Sequence, residues 1–195
     1  MINSKGTGHE AVCKSLVKYL LIEVEGTLNI DNKGDYMEEI NMDINFVKAE
    51  KKDCKLLIEI NNKAYYDDYI KYGECPGYNI PIEKMAKSLD DENIEKHIFY
   101  VDNKPVGFTS IVKKEENKYY LGNLAIIPEY QRKGIGKSAI NFILNKYLDM
   151  KELFLITPAD KVENINFYTK KCGFKIIGTE MDGNVKVAMI NYVRK

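Results

Sequence analysis

Apolar positions recur along this chain with two spacings, and each change of spacing marks an element. Ile44 to Ala49 reads as a strand. Asp53 to Asn62, opened by Asp53 as a cap, and Tyr65 to Tyr72 read as helix, followed by a turn at Cys75-Pro76-Gly77. Ile82 to Leu89 gives another helix. His97 to Val101 and Pro105 to Lys113 flank Asp102-Asn103-Lys104, the pattern of a hairpin. Tyr119 to Ile127 is a long apolar strand. After it, Ile135, Ala139, Phe142, Ile143 and Tyr147 share one face of a helix that Gly134 opens. Leu153 to Thr157 is a buried strand and Glu163 to Lys171 a helix, and Gly173 to Ile177 and Val185 to Val193 are closing strands. The resulting order, β, α, α, three β, α, β, α, two β, predicts an α/β (α+β) chain with a mixed sheet and helices on its faces.

The first 42 residues read differently, with four lysines against seven acidic residues. Glu10 to Leu21 suggests a short amphipathic helix, Leu21 to Ile30 a strand and Asp31 to Gly34 a turn. We therefore divide the chain into an extension, 1–42, and a main domain, 43–195. A hairpin, a dimerisation arm and a plain leader are all open readings of the extension.

At 195 residues the chain buries one sizeable core, and its formal net charge is zero. That balance argues against a broad nucleic-acid footprint. Cys13, Cys54, Cys75 and Cys172 form no close pair, and only His9 and His97 could join them, so no structural metal is expected. No apolar run is long enough to span a membrane: Leu16 to Val24 carries Lys18 and Glu23. The first ten residues lack the apolar core of a signal peptide, so the expectation is a cytoplasmic protein with reduced thiols.

The chemistry concentrates after the long strand, in Leu121-Gly-Asn-Leu-Ala-Ile-Ile-Pro-Glu-Tyr-Gln-Arg-Lys-Gly-Ile-Gly-Lys137. A glycine-bearing turn feeding a helix leaves N–H groups unpaired at the positive end of the helix dipole, where phosphate binds. Arg132, Lys133 and Lys137 add charge. A Walker loop needs glycine where Gln131 stands. The dinucleotide fingerprint needs its first glycine close behind the strand, but Pro128 to Lys133 intervene. Gln131, Gly134 and Gly136 instead fit Gln/Arg-x-x-Gly-x-Gly/Ala after an apolar strand, which resembles the pyrophosphate loop of the GNAT superfamily of acyl-CoA-dependent N-acyltransferases. The resemblance covers roughly residues 44–195.

That resemblance implies a mixed, mostly antiparallel central sheet and acetyl-CoA as cosubstrate. It implies that the backbones of Leu124, Ala125 and Ile126 pair with the pantetheine arm, and that Gln131, Arg132, Lys133, Gly134, Ile135, Gly136, Lys137 and Ser138 surround the pyrophosphate. Phe167-Tyr-Thr-Lys-Lys-Cys-Gly-Phe174 is similar to the family's F-Y-x-K-x-G-F element with one additional residue before the glycine. Tyr168 then matches the general acid; a phenol's reference pKa near 10 suits protonation of a departing thiolate. Where many members carry a cofactor-contacting Asn, this chain has Lys161, and Asn164 is the candidate in its place or a plain helix-start residue. The family's base is commonly a Glu at positions resembling Tyr120 and Ile156. No carboxylate stands there, so deprotonation would pass through water at Asn123 or Tyr120, or through an acid such as Glu129.

Tyr65-Tyr-Asp-Asp-Tyr69 and Tyr72 to Tyr78 concentrate rings and carboxylates that could hold an amine, although inward-packed tyrosines beside solvated acids are the plainer account. The expected activity is acetyl transfer to a primary amine, on a small molecule or a peptide N-terminus, by direct attack. Cys75 and Cys172 lack an activating neighbour for a covalent route. A non-catalytic acyl-CoA sensor or scaffold is the alternative, and a nicotinamide oxidoreductase built on Gly134-x-Gly136-x-x-Ala139 a weaker third.

Overall fold

The computed structural model of this chain describes residues 42–194. The helix, strand and turn expected between Glu10 and Gly34 lie outside the described residues. Strands β1 (Ile44–Lys48), β2 (Ile94–Val101), β3 (Lys104–Glu115), β4 (Lys118–Ile126), β5 (Glu152–Pro158), β6 (Lys175–Asp182) and β7 (Val185–Val193) form one sheet, ordered β1-β2-β3-β4-β5-β7-β6. All neighbours are antiparallel except β4 and β5. The helices are α1 (Cys54–Tyr72), α2 (Ile82–Asp90), α3 (Ile135–Lys146) and α4 (Val162–Asn166).

The two helical stretches expected before residue 73 are one helix, since nothing between Asn62 and Tyr65 breaks it; Gly73, at φ 73°, ends it. Asp53 does not cap α1 with its side chain. It closes a 3-10 turn, Lys51–Asp53, and its carboxylate accepts the Glu50 N–H at 2.8 Å. The first closing strand starts later and runs further than expected, to a hairpin at Gly183.

Two cores flank the sheet. Ile135, Ala139, Ile140 and Ile143 of α3 pack with Leu121, Leu124, Ile126, Leu153, Leu155 and Ile190. On the other face, Leu57, Ile60 and Tyr65 of α1 and Met85 of α2 pack with Ile98, Phe108 and Ala125. Period-two alternation along β4 divides Leu124 and Ile126 from Ala125 in this way.

Two irregularities shape the middle of the sheet. The β3–β4 register passes from Ile111↔Leu121 to Ser110↔Asn123, so Gly122 is an extra, bulged residue. Leu121 and Leu124 therefore enter the same core although three apart. The parallel β4–β5 ladder runs only through Lys118↔Glu152, Tyr119↔Leu153 and Tyr120↔Phe154. Beyond it the strands part, and the rest of β4 turns an unladdered edge toward β5.

Candidate active site

At the end of that edge the chain makes a tight reversal. Pro128–Tyr130 forms a 3-10 turn, and the Gln131 side chain folds back so that Nε2 donates to the Ile126 carbonyl at 2.9 Å. Arg132 (φ 59°) and Gly134 (φ 83°) both take the left-handed conformation, costly for arginine and free for glycine. The first bond of α3 is from the Ser138 N–H to the Gly134 carbonyl, at 3.0 Å. The N–H groups of Ile135, Gly136 and Lys137 precede that bond and have no partner within the helix.

The sequence-derived residues gather here. Arg132, Lys133 and Lys137 are exposed, Ser138 is half-buried, and Ile135 and Gly136 are buried. Lys133 Nζ stands 5.1 Å from the Tyr130 ring centre. The side chains of Leu124, Ala125 and Ile126 are fully buried, so they offer a ligand only their backbone. Glu129 is exposed in the loop.

The Phe167-to-Phe174 segment shows where its additional residue goes. The helix that begins as α4 widens into a π turn, Phe167–Lys171, which absorbs one residue without breaking the helix. Tyr168 is wholly buried there, edge-on to Phe167 at 4.8 Å and Phe174 at 5.4 Å between ring centres. Asn164 is buried too, and its amide donates to Thr157 Oγ1 at 3.1 Å. Lys161 forms a buried ion pair with Asp68 of α1. That pairing removes Asp68 from the expected acidic wall, while Asp67 stays exposed. Of the nearby tyrosines, Tyr65 packs inward; Tyr66 and Tyr69 are exposed, and Tyr69 stacks on Tyr78 at 4.6 Å.

Asn123 is committed to protein partners. Its Oδ1 accepts from the Tyr65 hydroxyl and its Nδ2 donates to Asn61 Oδ1 at 3.0 Å. Tyr120 packs edge-on to Phe154, with ring centres 4.8 Å apart. Burial pushes the Cys75 thiol up to about 11, which leaves little thiolate at neutral pH. One group escaped the sequence reading: Lys96, 7% exposed, whose Nζ donates to Ser110 Oγ at 2.9 Å. Placing the start of β2 at Ile94 would have revealed it, because the strand period puts Lys96 on the inward face with Ile94 and Ile98.

The model of the Acetyltransferase (GNAT) family matches residues 56–174. The chain belongs to this family. A GNAT protein is thus what the parted strands and left-handed loop describe. An uncharacterized protein of Bacillus subtilis (strain 168), YrkN, is 32% identical over 108 residues, which cover 54% of this chain and 58% of that relative. Among solved structures, the PaiA N-acetyltransferase of Thermoplasma acidophilum, in complex with coenzyme A, is 22% identical with a TM-score of 0.62, over 78% of this chain and all of its own. The spermidine N-acetyltransferase of Vibrio cholerae, in complex with CoA and spermine, is 17% identical with a TM-score of 0.62 (77% and 95%). The ribosomal-protein-S18-alanine N-acetyltransferase of Escherichia coli is 16% identical with a TM-score of 0.63 (77% and 93%). At these identities the likeness is one of fold. Among the described residues of this GNAT chain, no helix is long and apolar enough to cross a membrane, and no three His, Cys, Asp or Glu gather as a metal site.

Proposed function

We propose that this chain is an acetyl-CoA-dependent N-acetyltransferase of the cytoplasm that acts on a primary amine by direct attack. The observation that carries the reading is the parting of β4 from β5 beyond Tyr120 and Phe154, with the N-terminus of α3 at the end of the exposed strand edge. An extended amide-bearing arm fits such an edge as an added strand, through the backbones of Leu124, Ala125 and Ile126. A diphosphate fits the amides of Gly134 to Lys137 with Arg132, Lys133 and Lys137 around it, while the Ser138 N–H is spent on the Gly134 carbonyl. Gln131 acts at one remove, because its amide is spent on the Ile126 carbonyl and fixes the loop to the strand.

In this reading a backbone N–H near Ile126 polarises the acyl carbonyl. Tyr168 is the general acid for the leaving sulfur, which requires the packing around its ring to open when the cleft fills. Asn164 contacts the cosubstrate only if its bond to Thr157 is exchanged. The raised Cys75 thiol favours a single displacement over an acyl-enzyme.

The burial of Tyr168 favours a second reading, an acyl-CoA sensor without turnover. Thermal shift with acetyl-CoA and with NAD, together with CoA release across an amine panel, separates the readings. Transfer predicts stabilisation by acetyl-CoA, sequential kinetics, and a Tyr168→Phe variant that binds acetyl-CoA normally while kcat falls about 10²-fold. Stabilisation without CoA release from any amine would establish the sensor.

A further inference from the structure

On the α1–α2 face, a small, half-open recess of about 70 Å³ lies between α1, the turn before α2, α2 itself and strands β2 to β4. Gly122 and Asn123 line it, so it ends against the bulge of the strand whose far edge faces the parted β5. Its ionisable lining is two lysines, Lys84 and Lys96, and no acid.

Lys96 is the unusual one. It is almost wholly buried, and its ammonium donates to a neutral hydroxyl, Ser110 Oγ at 2.9 Å. Among the described residues, no carboxylate pairs with either lysine; Asp91 acts on Lys96 only from further away. A buried cation without a counter-ion is costly, and an anionic ligand beside it would offset that cost.

The hydrogen-bond inventory of the recess points the same way. Ser88 spends its hydroxyl on the Met85 carbonyl at 2.7 Å, and the Asn123 amide is spent on Asn61. What remains is donors: two N–H of Lys96, the hydroxyl hydrogen of Ser110, which accepts from Lys96, and the half-buried Lys84 ammonium. Such a set suits an anion and repels a polycation.

We propose that this recess receives the acceptor by a carboxylate, which pairs with Lys96, Ser110 and Lys84 and leaves the acceptor's amine at the Gly122–Asn123 bulge. The acceptor is then a small aminocarboxylate of the amino-acid kind. The inference rests on the acyl-transfer reading above and names the substrate class of that site.

Matched acceptors test it: 4-aminobutyrate against butylamine, 3-aminopropylphosphonate and spermidine, with CoA release as readout. The carboxylate is expected to lead butylamine at least about tenfold in kcat/KM, mainly through KM. Lys96→Met should bring that ratio close to one, and Lys84→Gln, a half-buried change safe for folding, should narrow it. A lead for butylamine, spermidine or the phosphonate overturns the proposal. So does a Lys96→Met variant that keeps the ratio and loses kcat equally on both acceptors, which would make Lys96 a proton carrier or a packing residue. Failure of the acyl-transfer reading looks different, with no thermal shift by acetyl-CoA and no CoA release from any amine. In that event a melting-temperature rise with 4-aminobutyrate, present in the wild type and absent in Lys96→Met, still decides for the recess, and its absence decides against it.

Discussion

His97 shows how one residue ties this fold to pH. It sits on β2 facing α3, with Nε2 3.0 Å from Glu95 Oε1 and its ring edge-on to Phe142 at 4.9 Å. Burial lowers its pKa to about 4; Glu95 opposes the shift, while Lys146 and Lys48 add to it. The folded protein thus holds His97 neutral, whereas the unfolded chain protonates it near 6.5. Between those values the unfolded state binds more protons, so stability is intact above pH 6.5 and falls as pH drops toward 4. Urea unfolding should show His97→Leu losing about 1–3 kcal/mol less than the wild type between pH 7 and 4. Equal losses would show that His97 does not titrate in this window. Lys96 has a related imbalance: burial brings it to about 8, so at pH 7 the ligand-free fold carries a cation that water would solvate better. Lys96→Met should raise stability at pH 7 by about 1–3 kcal/mol, read as a higher urea midpoint. A loss instead would mean that its bond to Ser110 outweighs the burial.

At the scale of elements, β3 and β4 meet where Gly107 leaves room. A Cβ there would stand 2.4 Å from the Ala125 carbonyl oxygen and 3.1 Å from the Ile126 Cα, both backbone atoms that cannot swing aside. Gly107→Ala should therefore cost about 2–3 kcal/mol and push β4 out of position, with acetyl-CoA affinity falling alongside stability. A variant of wild-type stability would mean that β3 can shift without disturbing the site edge. Much of the element order was legible because elements such as α2 and α3 carry a period of their own, and Gly134 with the basic loop announced the start of α3. By contrast, α1 and β6 lack a clean period, and their bounds departed from the expected ones. Less legible were features that arise only between elements. The bulge at Gly122 is set by register against β3, and the π turn at Phe167–Lys171 was visible only as one residue too many. The partners of Asp68 and Asn164 lie 93 and 7 residues away, respectively, so no local pattern could assign them.

At the scale of the whole molecule, the sheet is two blocks, β1 to β4 and β5 to β7, joined by a ladder of only three residue pairs. The larger core spans both blocks on the α3 face. On the α1 face, the core holds side chains of the first block only, and the link across is polar. Asp68 near the end of α1 pairs with Lys161 behind β5, and beside them Asp160 accepts from the Tyr72 hydroxyl at 2.7 Å and pairs with Lys71 at 2.9 Å. The Asp160 contacts are exposed and worth at most about 1 kcal/mol together. The Asp68–Lys161 pair is buried, and removing one partner strands the other charge without water. Asp68→Ala and Lys161→Ala should each cost about 3–5 kcal/mol. Burial raises the Asp68 carboxyl above its ordinary range despite Lys161, so the pair itself returns little beyond its desolvation. The double variant Asp68→Leu/Lys161→Met should accordingly recover most of the loss in urea unfolding. Singles within about 1 kcal/mol of the wild type would show instead that the α3 core alone holds the blocks together.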